Sequence, residues 1–188
     1  MFLKRLLYIL FFLAIILVIV YYAQPVRAGT GYDTTIRYEQ VKDWPMLRDT
    51  FTLGNPAGLD TDSGGNLIVF HRAGHTWPLV GGMPENFITD ETILVIDKSG
   101  RVVDSWGENL FIMPHGLTVD QNNNIWVTDV GLHQVFKFNR EGELLMDLGE
   151  AMVPGKDSLH FDGPTDVAVA PDGSFYVSDG YGNSRIIK

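Results

Sequence analysis

Three segments of this chain align without a gap: PAGLDTDSGGNLIVFH from Pro56, PHGLTVDQNNNIWVTD from Pro114 and PTDVAVAPDGSFYVSD from Pro164. Each opens on proline, runs through a short apolar stretch, turns on Asp, Asn and Gly, and ends in a second apolar stretch closed by a polar residue. Such runs between turn-forming clusters predict short strands. The residues downstream of the first two segments repeat as well. Ile93 to Asp97, the turn Lys98-Ser99-Gly100 and Val102 to Trp106 read as a hairpin. So do Gln134 to Phe138, the turn Asn139 to Gly142, and Glu143 to Leu148, with a glycine closing each turn. Each repeat is therefore predicted to be a four-stranded antiparallel meander. Repeats of about 40–50 residues with four strands predict propeller blades. A lone blade cannot bury both faces, so blades stack around an axis. Two repeats are complete and the third stops at Lys188, inside its third strand. A ring takes about 4–8 blades, so the expectation is an all-β chain holding only part of a propeller.

In a propeller the innermost strands line a central channel, so residues at one repeat position meet there. The position after the first proline holds Ala57, His115 and Thr165, and the end of the second strand holds His71, Asp129 and Asp179. His115 is a candidate metal ligand. It cannot make a catalytic zinc site alone, since zinc takes three protein ligands there; the competing reading is a hydrogen-bonded polar residue in a strand turn. Arg72 follows the second strand of the first repeat and could clamp a carboxylate in a bidentate fork, or pair with a surface Asp. The segment after it, from Ala73 to Glu91, contains His75, Trp77, Gly81, Gly82 and Pro84. Connections longer than about 12–15 residues are often functional. Tyr181 lies on the equivalent face of the third repeat, where a phenol beside a cation can act as a base or simply pack over a glycine-rich turn. Asp129, Asp179 and His133 read as turn and strand-end hydrogen-bonding residues.

Lys4 and Arg5 precede an apolar run from Leu6 to Ala23 that is broken only by tyrosines. About 18 such residues suffice to span a bilayer as a helix, and the preceding positive charge predicts the remainder outside. Residues 1–28 are therefore expected to be a signal peptide or signal anchor, with Val26-Arg27-Ala28 resembling a cleavage site. Residues 29–52 form a polar lead-in, and 53–188 the partial propeller. Everything after Gly29 is expected on the extracytoplasmic side, membrane-anchored or secreted. A formal net charge of -9 disfavours nucleic acid as a partner. With no cysteine, disulfides, thiolate catalysis and Cys-based zinc sites are excluded.

Several longer stretches form one pattern: FHR at Phe70 to Arg72, TILVID from Thr92, NLF from Asn109, PHGL from Pro114, WVTDVGLHQVFK from Trp126, PTDVAV from Pro164 and VSDGYGNSRI from Val177. Together they resemble the lyase domain of peptidylglycine α-amidating monooxygenase and its bacterial relatives, within the NHL-repeat propellers, over Leu53 to Lys188. The resemblance implies a six-bladed β-propeller of which about the first half is present, cleaving peptidyl-α-hydroxyglycine, a carbinolamide, to a peptide amide and glyoxylate. It implies a channel zinc held by three His, with His115 matching the first, and a structural calcium to which Leu117 offers its carbonyl. Arg72 and Tyr181 match the active-site Arg and Tyr. The other zinc ligands would lie beyond Lys188, so the isolated chain is expected to be inactive. Animal relatives often carry a Cys pair where this chain has Asp162 and Gly182. Two other readings stand beside this one: a non-catalytic NHL propeller binding protein or glycan at the cell surface, and a gluconolactonase-like hydrolase with a channel metal.

Overall fold

The computed structural model describes residues 37–49, 51, 53–78 and 80–188. The expected signal peptide or anchor at 1–28 lies outside the described residues. Among the described residues no helix is long and apolar enough to cross a membrane. From Lys42 onward the chain forms one compact unit.

Among its described residues this unit contains eleven strands. The first sheet is a four-stranded meander of β1 (Pro56–Thr61), β2 (Leu67–His71), β3 (Ile93–Ile96) and β4 (Val102–Trp106). The second repeats it with β5 (Pro114–Val119), β6 (Ile125–Asp129), β7 (Gln134–Phe138) and β8 (Leu144–Leu148). The third contains β9 (Pro164–Val169), β10 (Phe175–Asp179) and β11 (Arg185–Ile187). All neighbours pair antiparallel. The repeat reading therefore holds strand for strand, as two complete propeller blades and three strands of another.

Burial follows from the position of each strand in its blade. The middle strands β2, β3, β6 and most of β7 are buried on both faces, while β8 is almost wholly exposed. Blades stack face to face through apolar side chains. Ile68, Phe70, Ile93 and Val95 of the first blade pack with Phe111, Leu117, Ile125, Val127 and Phe138 of the second. Trp126 and Val135 pack with Phe161, Val167 and Val177 of the third. Each fully buried side chain of this size stabilises by about 1.5–3 kcal/mol.

At the axis the blades approach so closely that side chains are excluded. A Cβ on Gly58 would meet the Leu117 backbone nitrogen at 2.5 Å, and one on Gly116 would meet the Thr165 carbonyl oxygen at 2.5 Å. Polar bonds cross the same seams: Asp60 Oδ2 accepts from the Val119 N–H (2.8 Å), and the Thr118 hydroxyl donates to the Val167 carbonyl (2.6 Å).

Candidate active site

A β-bulge opens each innermost strand. Pro56 pairs with His71 but Gly58 with Phe70, so Ala57 is an extra residue. In β9, Pro164 pairs with Asp179 but Asp166 with Ser178, which makes Thr165 extra. In β5, Pro114 pairs with Asp129 and Leu117 with Val127, leaving His115 and Gly116 opposite Thr128 alone. The Thr128 hydroxyl accepts from the Gly116 N–H at 2.8 Å. Bulges re-aim side chains beside functional sites. Here they bring the three equivalent positions together: Ala57, Gly58, His115, Gly116, Thr165 and Asp166, with Leu117, line one axial cleft of about 340 Å³. Leu117 is 6% exposed at this cleft.

The ends of the second strands hold the bulges in place. The fully buried Asp129 carboxylate accepts three backbone N–H bonds, from Ile112, Met113 and Leu132, each at 2.8 Å. Burial still raises its pKa, against the pull of those bonds. Asp179 does the same work one blade on, accepting from the Asp162 N–H, the Asn183 amide and Arg185 Nε. The first blade has His71 in this place, and its Nδ1 accepts from the Ala73 N–H (3.1 Å). His133 has a left-handed φ of 57° and its Nδ1 accepts from the Gly163 N–H (3.0 Å). Asp129, Asp179 and His133 thus fix turns and strand ends, as expected from the sequence, and His71 does the same in the first blade.

His115 has a defined tautomer. Its Nδ1 lies 2.8 Å from the Thr165 carbonyl oxygen, which can only accept, so Nδ1 carries the proton. The Nε2 lone pair therefore accepts from the Tyr181 hydroxyl at 3.0 Å. Two residues 66 positions apart meet because their blades are neighbours. Tyr181 is 55% exposed and its ring stands edge-on to the imidazole, with centroids 5.4 Å apart.

Arg72 joins from the first blade. Its Nε donates to the carbonyl of Pro114 (2.9 Å), the residue just before His115. Its guanidinium carbon lies 5.4 Å from the centre of the Trp77 ring. Burial lowers the Arg72 pKa, while Tyr181 and Asp129 oppose that shift. The Trp77 ring is in turn 5.1 Å from the Tyr181 ring and 6.4 Å from that of His115. Arg72, His115 and Tyr181 are thus brought together, with Trp77 between them. In the sequence Trp77 stands out only as a member of a long connection. Nothing in the repeat pattern signals it, because the 73–91 segment has no counterpart in the other blades.

His115 presents one donor of the kind zinc takes. A backbone carbonyl on Nδ1 that leaves the Nε2 lone pair facing outward is the usual support of a metal-binding imidazole; here that lone pair is taken by the Tyr181 hydroxyl. Among the described residues no group of three His, Cys, Asp or Glu side chains could hold a metal ion. Asp162 and Gly182 are adjacent: the Gly182 N–H donates to the Asp162 carbonyl (2.8 Å), and a Cβ on Gly182 would fall on the Asp162 carboxylate. The carboxylate fills the space over the glycine.

The NHL repeat model matches residues 111–138 and 161–188, the first three strands of the second and third blades with their lead-ins. The chain is 41% identical over 174 residues to the probable peptidyl-alpha-hydroxyglycine alpha-amidating lyase pgal-1 of Caenorhabditis elegans, covering 88% of this chain and 49% of that protein. It is 46% identical over 165 residues to peptidyl-glycine alpha-amidating monooxygenase B of Xenopus laevis, covering 81% of this chain and 18% of that one. With peptidyl-alpha-hydroxyglycine alpha-amidating lyase 2 of Drosophila melanogaster it shares 39% identity over 158 residues, 79% of this chain and 38% of that one. The chain spans less than half the length of these relatives. The resemblance read from the motifs is borne out, with relatives named as amidating lyases over most of the chain.

Proposed function

We propose that this chain forms part of a lyase that splits a peptidyl-α-hydroxyglycine into a peptide amide and glyoxylate. The observation that carries the proposal is the convergence of three blades on one point: the Tyr181 oxygen lies 3.0 Å from His115 Nε2, with the Arg72 guanidinium held beside them. The substrate R-CO-NH-CH(OH)-COO⁻ offers a carboxylate, a hydroxyl and an amide nitrogen on one carbon. Arg72 binds the carboxylate with the terminal nitrogens of its fork, since Nε is engaged by Pro114. That contact sets the orientation of the carbinol carbon. In the reacting form Tyr181 is the phenolate, its own proton already lost to solvent; its oxygen takes the hydroxyl proton. The C–O bond becomes a carbonyl as the C–N bond breaks, and the proton returns to the departing amide nitrogen. Nothing is oxidised or reduced.

The metal assignments belong to the same proposal. His115 Nε2 is the proposed donor to zinc, which would replace the Tyr181 hydroxyl at that lone pair and, as a Lewis acid, would lower the pKa of a substrate hydroxyl; the remaining donors are not among the described residues. The Leu117 carbonyl is the proposed contribution to a structural calcium. Residues 1–28 are proposed to carry the propeller to the extracytoplasmic side, as a signal peptide or membrane anchor. The net charge of -9 supports a small-molecule partner over nucleic acid.

A chimera tests the activity. Residues 53–188 replace the matching segment of the nematode relative, and glyoxylate release from α-hydroxyhippurate is measured. The reading predicts release within about tenfold of the parent enzyme, a loss of no more than ~1.4 kcal/mol in transition-state stabilisation. A folded chimera with no release would overturn it.

A further inference from the structure

Trp77 lies against every member of the candidate site. It stacks on the Arg72 guanidinium and packs on the rings of Tyr181 and His115. On its other side it packs against the buried cluster of Ile112, Met113, Val130 and Leu132. The segment that carries it is tied down at two places. Near its start, His75 Nδ1 bonds to the Ile112 carbonyl oxygen (2.9 Å), and the Asn86 amide reaches His75 Nε2 (3.1 Å). Near its end, the Ile88 N–H donates to the Phe111 carbonyl and the Asn109 N–H to the Ile88 carbonyl, each at 2.8 Å. Between these ties the chain runs outward, with Val80 94% exposed. Trp77 is only half-buried, so part of the side chain that meets Arg72 and Tyr181 remains exposed.

We propose that Trp77 is a specificity-determining residue, selecting substrates whose acyl group beside the hydroxyglycine nitrogen is apolar and above all aromatic. The inference rests on the lyase reading. With the carboxylate on Arg72 and the hydroxyl at His115 and Tyr181, the third substituent of the carbinol carbon is the acylated nitrogen. An indole adjacent to both anchoring points offers that acyl group a flat apolar surface. Aromatic rings gain from such stacking beyond the area they bury. The stack on Arg72 has a second consequence: it holds the guanidinium plane, which a flexible cation would otherwise have to fix on binding.

The test is calorimetric titration of the whole chain with N-benzoylglycine and N-acetylglycine. Both lack the hydroxyl, so their binding needs only Arg72 and Trp77. The expected result is a preference for the benzoyl compound of about tenfold. In Trp77→Ala the preference falls to about twofold or less, and Trp77→Phe restores most of it. Arg72→Ala abolishes binding of both compounds. A ratio unchanged in Trp77→Ala, while Arg72→Ala still loses both ligands, overturns the specificity role alone. Equal weakening of both ligands in Trp77→Ala also overturns it, since that is what a merely structural support of Arg72 would do. Binding of both ligands indifferent to Arg72 overturns the inference together with the lyase reading beneath it.

Discussion

Tyr181 and Arg72 are assigned different work, and kinetics can tell them apart. In the active chimera, Tyr181→Phe removes the proton acceptor and leaves the ring packed on Trp77. It should lower kcat by about 10²–10⁴ with little change in KM. Arg72→Ala removes carboxylate binding and should raise KM as well as lower kcat. Equal effects on both constants from both variants would contradict the assignment. Arg72, His115 and Tyr181 could be named from the sequence because the family resemblance pointed to them; the repeat alignment only placed Arg72 and Tyr181 on the same loop of their blades and His115 at the start of an innermost strand. Trp77 could not be, since its role exists only once a non-repeating segment folds back over its own blade. The tautomer of His115 was also invisible, because the Thr165 carbonyl that fixes it lies on another blade.

At the scale of the element, the bulges carry the design. The strands themselves were readable from alternating apolar runs and turns, and observed boundaries differ from the expected ones by a residue, at Ile96 and Leu144. The bulges were not readable, since one extra residue in a ladder shows only in its pairing. The turn beneath Tyr181 offers a test. Gly163 has φ of 74°, and a Cβ there would lie 2.9 Å from the Tyr181 Cβ. Gly173 has a similar φ of 84° with nothing within 4 Å of its would-be Cβ. Both Gly→Ala changes should cost about 1–3 kcal/mol for the left-handed backbone. Only Gly163→Ala should add a displacement of Tyr181. Urea unfolding should show Gly163→Ala as the more destabilised, and the chimera's kcat should fall in that variant alone. Equal costs and unchanged kcat would mean that the turn does not position the phenol.

For the molecule as a whole, histidines set the response to pH near neutrality. Burial lowers the pKa of His71 and of His133 below the ordinary 6.5. In the window beneath 6.5 the unfolded chain therefore binds more protons than the folded one, and stability falls as pH drops. His160 works the other way. Its bonds to Asp157 and then Glu150 raise its pKa above 6.5, so its contribution is present below that value and is lost as pH rises through the folded pKa. Together these shifts predict a thermal midpoint that peaks near pH 6.5. His71→Gln should flatten the acid side and His160→Asn the alkaline side. A midpoint rising steadily from about pH 5 to about pH 8 would contradict the assignment. None of these shifts was legible in the sequence, because burial and the carboxylates beside each imidazole appear only in the fold.

The convergence of three blades on one imidazole is most directly tested by nitrogen-15 spectra of histidine-labelled chain, wild type against Tyr181→Phe. The account predicts that His115 carries its proton on Nδ1, that Nε2 has the shift of a hydrogen-bonded acceptor, and that this shift moves when the phenol hydroxyl is removed. A proton on Nε2, or an Nε2 shift identical in the two proteins, would show that the side chains do not meet.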